Sequence, residues 1–337
     1  MIEDAKPLTL GANFPRRALF TTLVGVAVSL GAACGASQKN QPAPLLDHRS
    51  WGAFLPTVTG PRASTEGSID RLAALAGSRP EFVHLFAAID DSLPIETLDS
   101  VRSVGSVPLL SLEPWRPRAG LDQPEYSLAA IASGQHDADL SRWATQLAAW
   151  PHLLLLRFAQ EMNGTWYPWS VGVHNNTAGD YRAAWSRTHS IISEQAPNVR
   201  FVWAPNAITE GTRGFADCYP GDEVVDYLGL DGYNWGQTPG HQWQSPEKLF
   251  ANSLEVMSSL SPGRPIIISE VGCADGATPN LKAQWIADFF YVIENHSDVS
   301  GVVWFQMDKE RDWRFNSSPA STKRFRDGLT HWLGGGG

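Results

Sequence analysis

At 337 residues, the chain is long enough for one large α/β barrel or for two domains of average size. Its formal net charge of -9 argues against a nucleic-acid partner, which usually requires a basic face. Hydrophobic residues at 43% and charged residues at 18% are ordinary for a globular protein, but 14 tryptophans are a surplus. Such a surplus fits either a large core or stacking against sugar rings, and composition leaves both open.

The N-terminal segment has the features of an export signal. Arg16-Arg17 precede an apolar run of small residues, and paired arginines are typical of a twin-arginine signal. Cys34 follows a Leu-Gly-Ala-Ala sequence that resembles a bacterial lipoprotein cleavage site, and plain cleavage after an alanine is the alternative. We predict a signal peptide over residues 1–34 and a flexible tether over residues 35–48. The protein is expected to be exported by a bacterium, either secreted or anchored at the cell envelope by a lipid on Cys34.

From Ser50 onward, short apolar runs alternate with amphipathic segments, with no change of composition. The apolar runs predict eight buried strands, at residues 51–55, 81–87, 107–112, 153–159, 200–204, 225–231, 265–270 and 301–306. The amphipathic segments predict helices at residues 65–76, 95–104, 139–150, 179–196, 246–260, 279–296 and 321–333. Residues 206–223 show no helical pattern, and a loop of that length is usually functional.

This alternation predicts the fold. Strands and helices in strict succession indicate a parallel sheet, and eight such units indicate a closed (β/α)8 TIM barrel over residues 49–333, before a glycine tail at 334–337. The main rival is an open, doubly wound sheet. Its dinucleotide-binding form has little support, because Trp51-Gly52-Ala53-Phe54 stands where a glycine-rich phosphate loop would follow the first strand. We expect a monomer.

Two glutamates end predicted strands. Side chains alternate along a strand, so counting in twos along the fourth gives one face, made by Leu155, Arg157, Ala159 and Glu161. The same count along the seventh strand gives a face made by Ile266, Ile268 and Glu270. Catalytic residues of a barrel lie at the carboxyl ends of its strands. We therefore expect Glu161 and Glu270 to point inward and to face each other across the mouth.

Two opposed carboxylates are what cleavage of a glycosidic bond requires. The aromatic segment at residues 165–169 should favour the neutral form of Glu161, which makes it the candidate general acid/base. A hydrogen bond from a neighbour such as Tyr233 should favour the ionised form of Glu270, the candidate nucleophile. The alternative is a structural pair of carboxylates bonded to Arg157.

Taken together, the motifs resemble glycoside hydrolase family 26. Five segments carry the resemblance, in this order: RFAQEMNGTWYPW at 157–169, FVWAPN at 201–206, YPGDEVVDYLGLDGYNW at 219–235, PIIISEVG at 265–272 and VVWFQ at 302–306. The resemblance implies a retaining (β/α)8 hydrolase that acts on a β-linked polysaccharide. Most members are endo-β-1,4-mannanases, and others cleave mixed-linkage β-1,3-1,4-glucan or β-1,3-xylan. His84 and His174 lack partners at metal-ligand spacing, so we expect no metal site. We also expect no cofactor.

The resemblance also implies roles for individual residues. Glu161 corresponds to the acid/base, Glu270 to the nucleophile and Tyr233 to the hydrogen-bond partner of the nucleophile. The resemblance further makes Trp304 the platform under the sugar that is cleaved and places Trp166 beside the bond. The complete set of expected substrate contacts is Gln160, Trp166, Trp169, Asp231, Tyr233, Trp235 and Trp304.

One position departs from the family pattern. The usual residue before the acid/base is His, and this chain has Gln160. Glutamine can hydrogen-bond a sugar hydroxyl but carries no charge. Mannose and glucose differ in the orientation of the 2-hydroxyl, so the substitution weakens the mannan assignment more than the hydrolase assignment.

Several interpretations stay open at this stage. Asp231 either reaches the substrate or caps the loop before Tyr233, and Glu113 either lines the cleft or only ends the third strand. Cys218 and Cys273 either form a disulfide in an oxidising compartment or remain free thiols. The alternative functions are a noncatalytic carbohydrate-binding protein on the same barrel and a structural lipoprotein without a sugar ligand.

Overall fold

The computed structural model describes residues 46–56, 62–278 and 280–335. The predicted signal peptide, Cys34 and most of the predicted tether lie outside these residues. The described residues belong to one compact unit. Within them, no helix combines the length and the apolar character needed to cross a membrane.

Eight strands, β1 to β8, close into a parallel barrel in chain order, with β8 paired to β1. Their bounds are Ser50–Phe54, Phe82–Ala88, Val107–Glu113, Leu154–Phe158, Val199–Trp203, Tyr227–Asn234, Ile266–Cys273 and Val299–Phe305. The predicted (β/α)8 barrel is confirmed. The open doubly wound sheet was the wrong alternative, because the first and last strands pair over Ser50 to Phe54.

Helices α1 to α8 surround the barrel. Their bounds are Arg62–Ala76, Ile95–Ser103, Leu128–Ala132, Asp137–Ala149, Ala178–Gln195, Pro246–Leu260, Leu281–Glu294 and Pro319–Gly334. The short α3 has no counterpart in the sequence prediction and precedes α4 between β3 and β4. As expected, β5 and β6 are joined by a loop without an α-helix, which contains two short 3-10 turns at Ala216–Cys218 and Asp222–Val224.

Local sequence determines where helices begin after the loops of the barrel mouth. Ser245 accepts a hydrogen bond from the backbone N–H of Lys248, and Pro246 occupies the first turn of α6. Thr177 and Asp180 form a reciprocal capping box at the start of α5. Such caps satisfy backbone donors that the helix leaves free, and so they define the end of each preceding loop.

Apolar side chains from seven strands fill the barrel interior. They are Phe82, Leu109, Leu155, Val202, Tyr227, Ile267 and Val303, with Leu46 packed beside them. The opposite faces of the strands pack against the helices in a larger core. The barrel is therefore a packed structure rather than a pore, and its open end lies at the carboxyl ends of the strands.

Strand β7 has one extra residue relative to both neighbours. Gly229 and Asp231 of β6 are two residues apart, but their partners in β7, Ile267 and Glu270, are three residues apart. The pairing of β7 with β8 shifts in the same region. This bulge allows Ile267 and Glu270 both to face the interior, although a separation of three reverses the face in a regular strand. The prediction that Ile266 and Ile268 share the face of Glu270 is wrong, because both pack in the helix-facing core.

Candidate active site

A cavity of about 1490 Å³ opens at the carboxyl ends of the strands. Residues near the ends of β1, β2, β3, β6, β7 and β8 line it, namely Phe54, Phe86, Glu113, Tyr233, Glu270 and Phe305. Loops after β4, β5, β6 and β8 complete its walls. Its volume exceeds the roughly 300–1,000 Å³ of typical small-molecule sites. The cavity therefore has room for an extended ligand.

Glu161 reaches this cavity from just beyond β4. The strand ends at Phe158, and Ala159 and Glu161 both adopt left-handed backbone conformations, with φ of 47° and 55°. The Glu161 N–H donates to the carbonyl of Ala204 at 2.7 Å, which ties this segment to the end of β5. Ala159 packs in the helix-facing core, so the predicted alternation fails after Arg157. An unusual backbone conformation, and not the strand period, therefore presents Glu161 to the cavity.

The carboxyl group of Glu161 is held at both oxygens. Asn206 Nδ2 donates to Oε1 and Trp166 Nε1 donates to Oε2, each at 2.7 Å. Burial and the charge of Glu270 raise the pKa of Glu161 to about 7, although these two hydrogen bonds and Arg157 oppose the rise. A large fraction of Glu161 is therefore protonated at neutral pH, so that it can donate a proton to a ligand and take one back.

Glu270 receives a different set of bonds. Arg157 Nη1 donates to its Oε1 at 2.8 Å, and the hydroxyl of Tyr233 donates to its Oε2. One donor carries a full positive charge, and hydrogen bonds to a carboxylate are stronger when the partner is charged. Both bonds stabilise negative charge on Glu270, while 6% of the residue remains exposed at the cavity.

Arg157 is fully buried beneath the cavity and joins two acidic groups. Besides Glu270, its guanidinium bonds Asp231, whose other oxygen accepts from Ser269 Oγ at 2.6 Å. His84 Nε2 lies 3.2 Å from Arg157 Nη1. Because a guanidinium can only donate, this nitrogen of His84 must be the acceptor. Burial and the charge of Arg157 both lower the pKa of His84 well below its usual value.

The bond between Arg157 and Glu270 is the contact that the structural interpretation of the carboxylates predicts. The same bond, however, leaves Glu270 at the cavity surface, and Glu161 lines the same cavity with its carboxyl oxygens bonded to Asn206 and Trp166. Two carboxyl groups with unlike partners thus share one ligand-sized space. Such a pair can supply one proton donor and one nucleophile.

Four expected substrate contacts are corrected by the structure. Trp304 faces the helices, is fully buried, and donates through Nε1 to the carbonyl of Trp313 at 2.8 Å. Trp169 is fully buried under Tyr167, with ring centroids 4.1 Å apart. Asp231 is fully buried against Arg157 and Ser269, and Gln160 is only 1% exposed. Each side chain is covered by other protein groups and supports the cavity from behind.

The other expected contacts do line the cavity. Trp166 is 38% exposed while its Nε1 is bonded to Glu161, and Tyr233 is bonded to Glu270. Trp235 also lines the cavity and stacks on His241, with ring centroids 4.7 Å apart.

Sequence reasoning missed several lining residues. Asn206 lies shortly after the end of β5, and its position near a strand end was the available signal for its contact with Glu161. Trp313 lies in the loop after β8 and packs edge-on against Tyr233, with ring centroids 5.0 Å apart. Nothing in the local sequence distinguishes Trp313 from a core tryptophan. Phe305, next to Trp304, is the aromatic residue of β8 that reaches the cavity.

The possible disulfide is not formed. Cys218 and Cys273 are both free and buried. Cys273 Sγ instead accepts from Asn234 Nδ2 at 3.4 Å. Burial raises the pKa of Cys218 to about 11 and that of Cys273 to about 12, so both thiols stay protonated near neutral pH.

The chain is similar to known carbohydrate-active proteins. It is 34% identical over 274 residues to Endoglucanase H of Acetivibrio thermocellus, across 79% of this chain and 29% of that protein. It is 23% identical over 206 residues to a beta-1,3-xylanase of Alcaligenes, across 55% of this chain and 41% of that protein. The chain thus spans less than half of either curated relative.

The fold has solved counterparts. A beta-mannanase of family 26 from Bacteroides ovatus superposes with a TM-score of 0.62 at 16% identity, covering 85% of this chain and 90% of that one. The sequence model of glycosyl hydrolase family 26 matches residues 124–299, just over half of the chain and the part that carries β4 to β7 with Glu161 and Glu270. The similarity therefore includes the amino-acid sequence as well as the barrel fold, and the chain belongs to glycosyl hydrolase family 26.

Proposed function

We propose that the chain is a retaining endo-glycoside hydrolase of β-linked polysaccharides, with mixed-linkage β-1,3-1,4-glucan as the first candidate substrate. The observation that carries this proposal is the contrast between two carboxyl groups in one cavity. Glu161 has a pKa raised to about 7, whereas Glu270 accepts bonds from Arg157 and Tyr233 that favour negative charge. Carboxyl groups with such opposed environments suit an acid and a nucleophile.

The proposed reaction has two steps. Glu161 donates its proton to the glycosidic oxygen while Glu270 attacks the anomeric carbon, so the bond to the leaving sugar breaks and a glycosyl ester with Glu270 forms. Glu161, now ionised, then takes a proton from water, whose oxygen attacks the anomeric carbon and releases Glu270. Asn206 and Trp166 stabilise the ionised Glu161 between the steps through their hydrogen bonds.

The substrate class is supported by the relatives and by the cavity. The curated relative that is 34% identical is named an endoglucanase, which favours a glucan. β-1,4-mannan is the competing substrate that the family resemblance suggests, and β-1,3-xylan is the one named for a relative at 23% identity. A cavity of about 1490 Å³ has room for several sugar units, which favours cleavage within a chain.

A substrate panel tests this proposal. Reducing-sugar release would be measured on lichenan, mannan, β-1,3-xylan and β-1,3-glucan for the unmodified protein and for Glu161→Ala and Glu270→Ala. We expect release from lichenan and loss in both variants, with unchanged circular dichroism. Proton NMR of the first product should show the β anomer, since double displacement retains configuration. An α anomer, or normal activity in either variant, would contradict the mechanism.

The second candidate is a noncatalytic carbohydrate-binding protein, favoured by the aromatic lining of the cavity. It predicts binding of an oligosaccharide without release of reducing sugar from any member of the panel. Calorimetric titration with the same oligosaccharides separates it from an inactive protein that binds none.

We also propose that residues 1–34 export the protein and that Cys34 carries a lipid anchor. The paired arginines and the small residues before Cys34 support this. After expression in a bacterial host, the unmodified protein should fractionate with membranes and the Cys34→Ser variant with soluble exported protein. Retention of both proteins in the cytoplasm would contradict export, and identical fractions outside it would contradict the anchor.

A further inference from the structure

A third carboxyl group, that of Glu113, lines the cavity at the end of β3. Its exposed fraction is 7%, nearly the same as that of Glu161 and Glu270. The double displacement proposed above gives Glu113 no role. A buried carboxyl group at a cavity surface is costly unless it is compensated, so its presence there calls for an explanation.

Two neutral donors hold Glu113. Gln160 Nε2 donates to its Oε1 at 2.8 Å, and Trp115 Nε1 donates to its Oε2 at 3.0 Å. No ion pair compensates Glu113 among the residues that the structure describes. Each carboxylate oxygen can accept about two hydrogen bonds. Each oxygen of Glu113 therefore has accepting capacity left.

Gln160 is fixed behind Glu113. Its side chain is buried, and its backbone carbonyl accepts from Trp169 Nε1 at 2.7 Å. Its Oε1 has no hydrogen-bond partner in the described structure. Gln160 thus donates to Glu113 although its own buried side-chain oxygen has no partner, and leaving such an atom unsatisfied is costly. The amide is therefore oriented toward Glu113. The residue that departs from the family pattern thus contacts Glu113.

The charged groups at the nucleophile, Glu270 and Arg157, affect the pKa of Glu113. Burial is the main cause that raises its pKa to about 7, Glu270 adds to the rise, and Arg157 opposes it. Tyr167 lines the same cavity, and the charge of Glu113 is one of the causes that raise the pKa of Tyr167. Glu113 and Glu270 therefore line one cavity and interact electrostatically, and Gln160, which donates to Glu113, is the residue next to the proposed acid/base.

We propose that Glu113 is a substrate-binding residue that accepts hydrogen bonds from hydroxyls of the sugar beside the nucleophile, and that Gln160 is its positioning residue. The inference rests on the proposed function, because it takes the ligand to be a sugar. Carboxylates accept hydroxyl hydrogen bonds more strongly than neutral groups do. Ligand affinity should consequently depend on the ionisation of Glu113.

Oligosaccharide binding to a noncleaving protein tests this separately from catalysis. In a Glu161→Gln background, calorimetry would measure affinity for a mixed-linkage glucotetraose and for mannotetraose. Adding Glu113→Ala should weaken binding of the preferred sugar by about tenfold or more, the usual scale for a bond to a charged group. Adding Glu113→Gln should cause a smaller loss, because an amide keeps one acceptor. Unchanged affinity in Glu113→Ala would overturn the proposal.

The pH dependence separates substrate binding from a structural role. In the Glu161→Gln background, affinity should rise with pH through about 7 when Glu113 is present and should be flat in Glu113→Gln. Replacing Gln160 with Leu removes a donor that favours the charged form, so the midpoint should move to higher pH. Gln160→His should restore a donor and return the midpoint toward or below the original value. A midpoint that does not respond to Gln160 contradicts its positioning role.

Failure of the two proposals can be told apart. If the unmodified protein releases no reducing sugar but Glu113→Ala still weakens binding, the hydrolase assignment fails and the role of Glu113 stands. If hydrolysis is normal and affinity does not respond to Glu113, only the present inference fails. If neither oligosaccharide binds the Glu161→Gln protein, the role of Glu113 in sugar binding is wrong.

Discussion

Glu161 and Glu270 differ mainly in the charge of their hydrogen-bond donors. Glu161 is bonded by two neutral N–H groups, whereas Glu270 is bonded by the buried guanidinium of Arg157 and by a phenol. Chain position could identify both glutamates as strand-end residues. Their different environments depend on groups from other strands, which sequence cannot assign to one oxygen or the other.

The pH dependence of activity should respond to changes in the groups that donate hydrogen bonds to Glu161. A proton donor with a pKa of about 7 loses activity as pH rises through that value. Trp166→Phe removes an N–H that stabilises the ionised form, so the pKa of Glu161 should rise and the alkaline limb of kcat/KM should move to higher pH. Trp235→Phe, which changes another cavity tryptophan, is the matched control and should leave this limb in place. A limb that moves to lower pH in Trp166→Phe would contradict the assignment.

Tyr233→Phe tests the environment of Glu270. The variant removes a hydrogen bond to a carboxylate, which is worth about 1.5–3 kcal/mol. If the bond orients and stabilises the nucleophile, kcat should fall about 10- to 100-fold. Single-turnover kinetics with an activated aryl glycoside would assign the loss to formation of the glycosyl ester. A change confined to KM would instead indicate that Tyr233 only binds substrate.

At the scale of elements, β7 and the segment after β4 are the irregular parts of the barrel. The extra residue in β7 turns Glu270 inward, and left-handed residues after Phe158 present Glu161. The alternation of side chains along a strand predicted that both glutamates face inward. It was wrong for Ile266 and Ile268, because alternation holds only in a regular strand. The bulge follows from pairing with both neighbouring strands, which a local pattern does not contain.

Strand β1 should tolerate no side chain at Gly52. A Cβ there would lie 2.5 Å from both Cβ and the carbonyl oxygen of Phe82 on the paired strand. Gly52→Ala should therefore lower the free energy of unfolding by about 1–3 kcal/mol through forced separation of β1 and β2. Gly214→Ala, in open space, is the control. Urea denaturation measures both, and equal stabilities would contradict the close packing.

For the whole molecule, the closed barrel and not a covalent link holds the described residues together. Cys218 and Cys273 are free and buried. In a Cys34→Ser chain, the thermal midpoint should be the same with and without reductant, and thiol reagent should react with two thiols only after unfolding. A lower midpoint under reduction would show that the two cysteines pair.

The sequence by itself determined the architecture. Alternating apolar and amphipathic segments predicted the number and order of the strands and most helices, because these follow from local periodicity. Strand ends then placed polar residues at the barrel mouth, since every parallel strand ends on the same side. Tryptophans were less predictable, because a buried ring and an exposed ring have the same local sequence signal.

Only the tertiary structure decided which side chains meet in the cavity. Trp304 faces the helices while Phe305 and Trp313 line the cavity, and Gln160 contacts Glu113 from a different strand end. These outcomes depend on strand register, a bulge and left-handed backbone, all of which arise from contacts between distant segments. The physical reason is that side-chain direction at the end of a strand is set by pairing and packing, whereas the existence of the strand is set by its own residues.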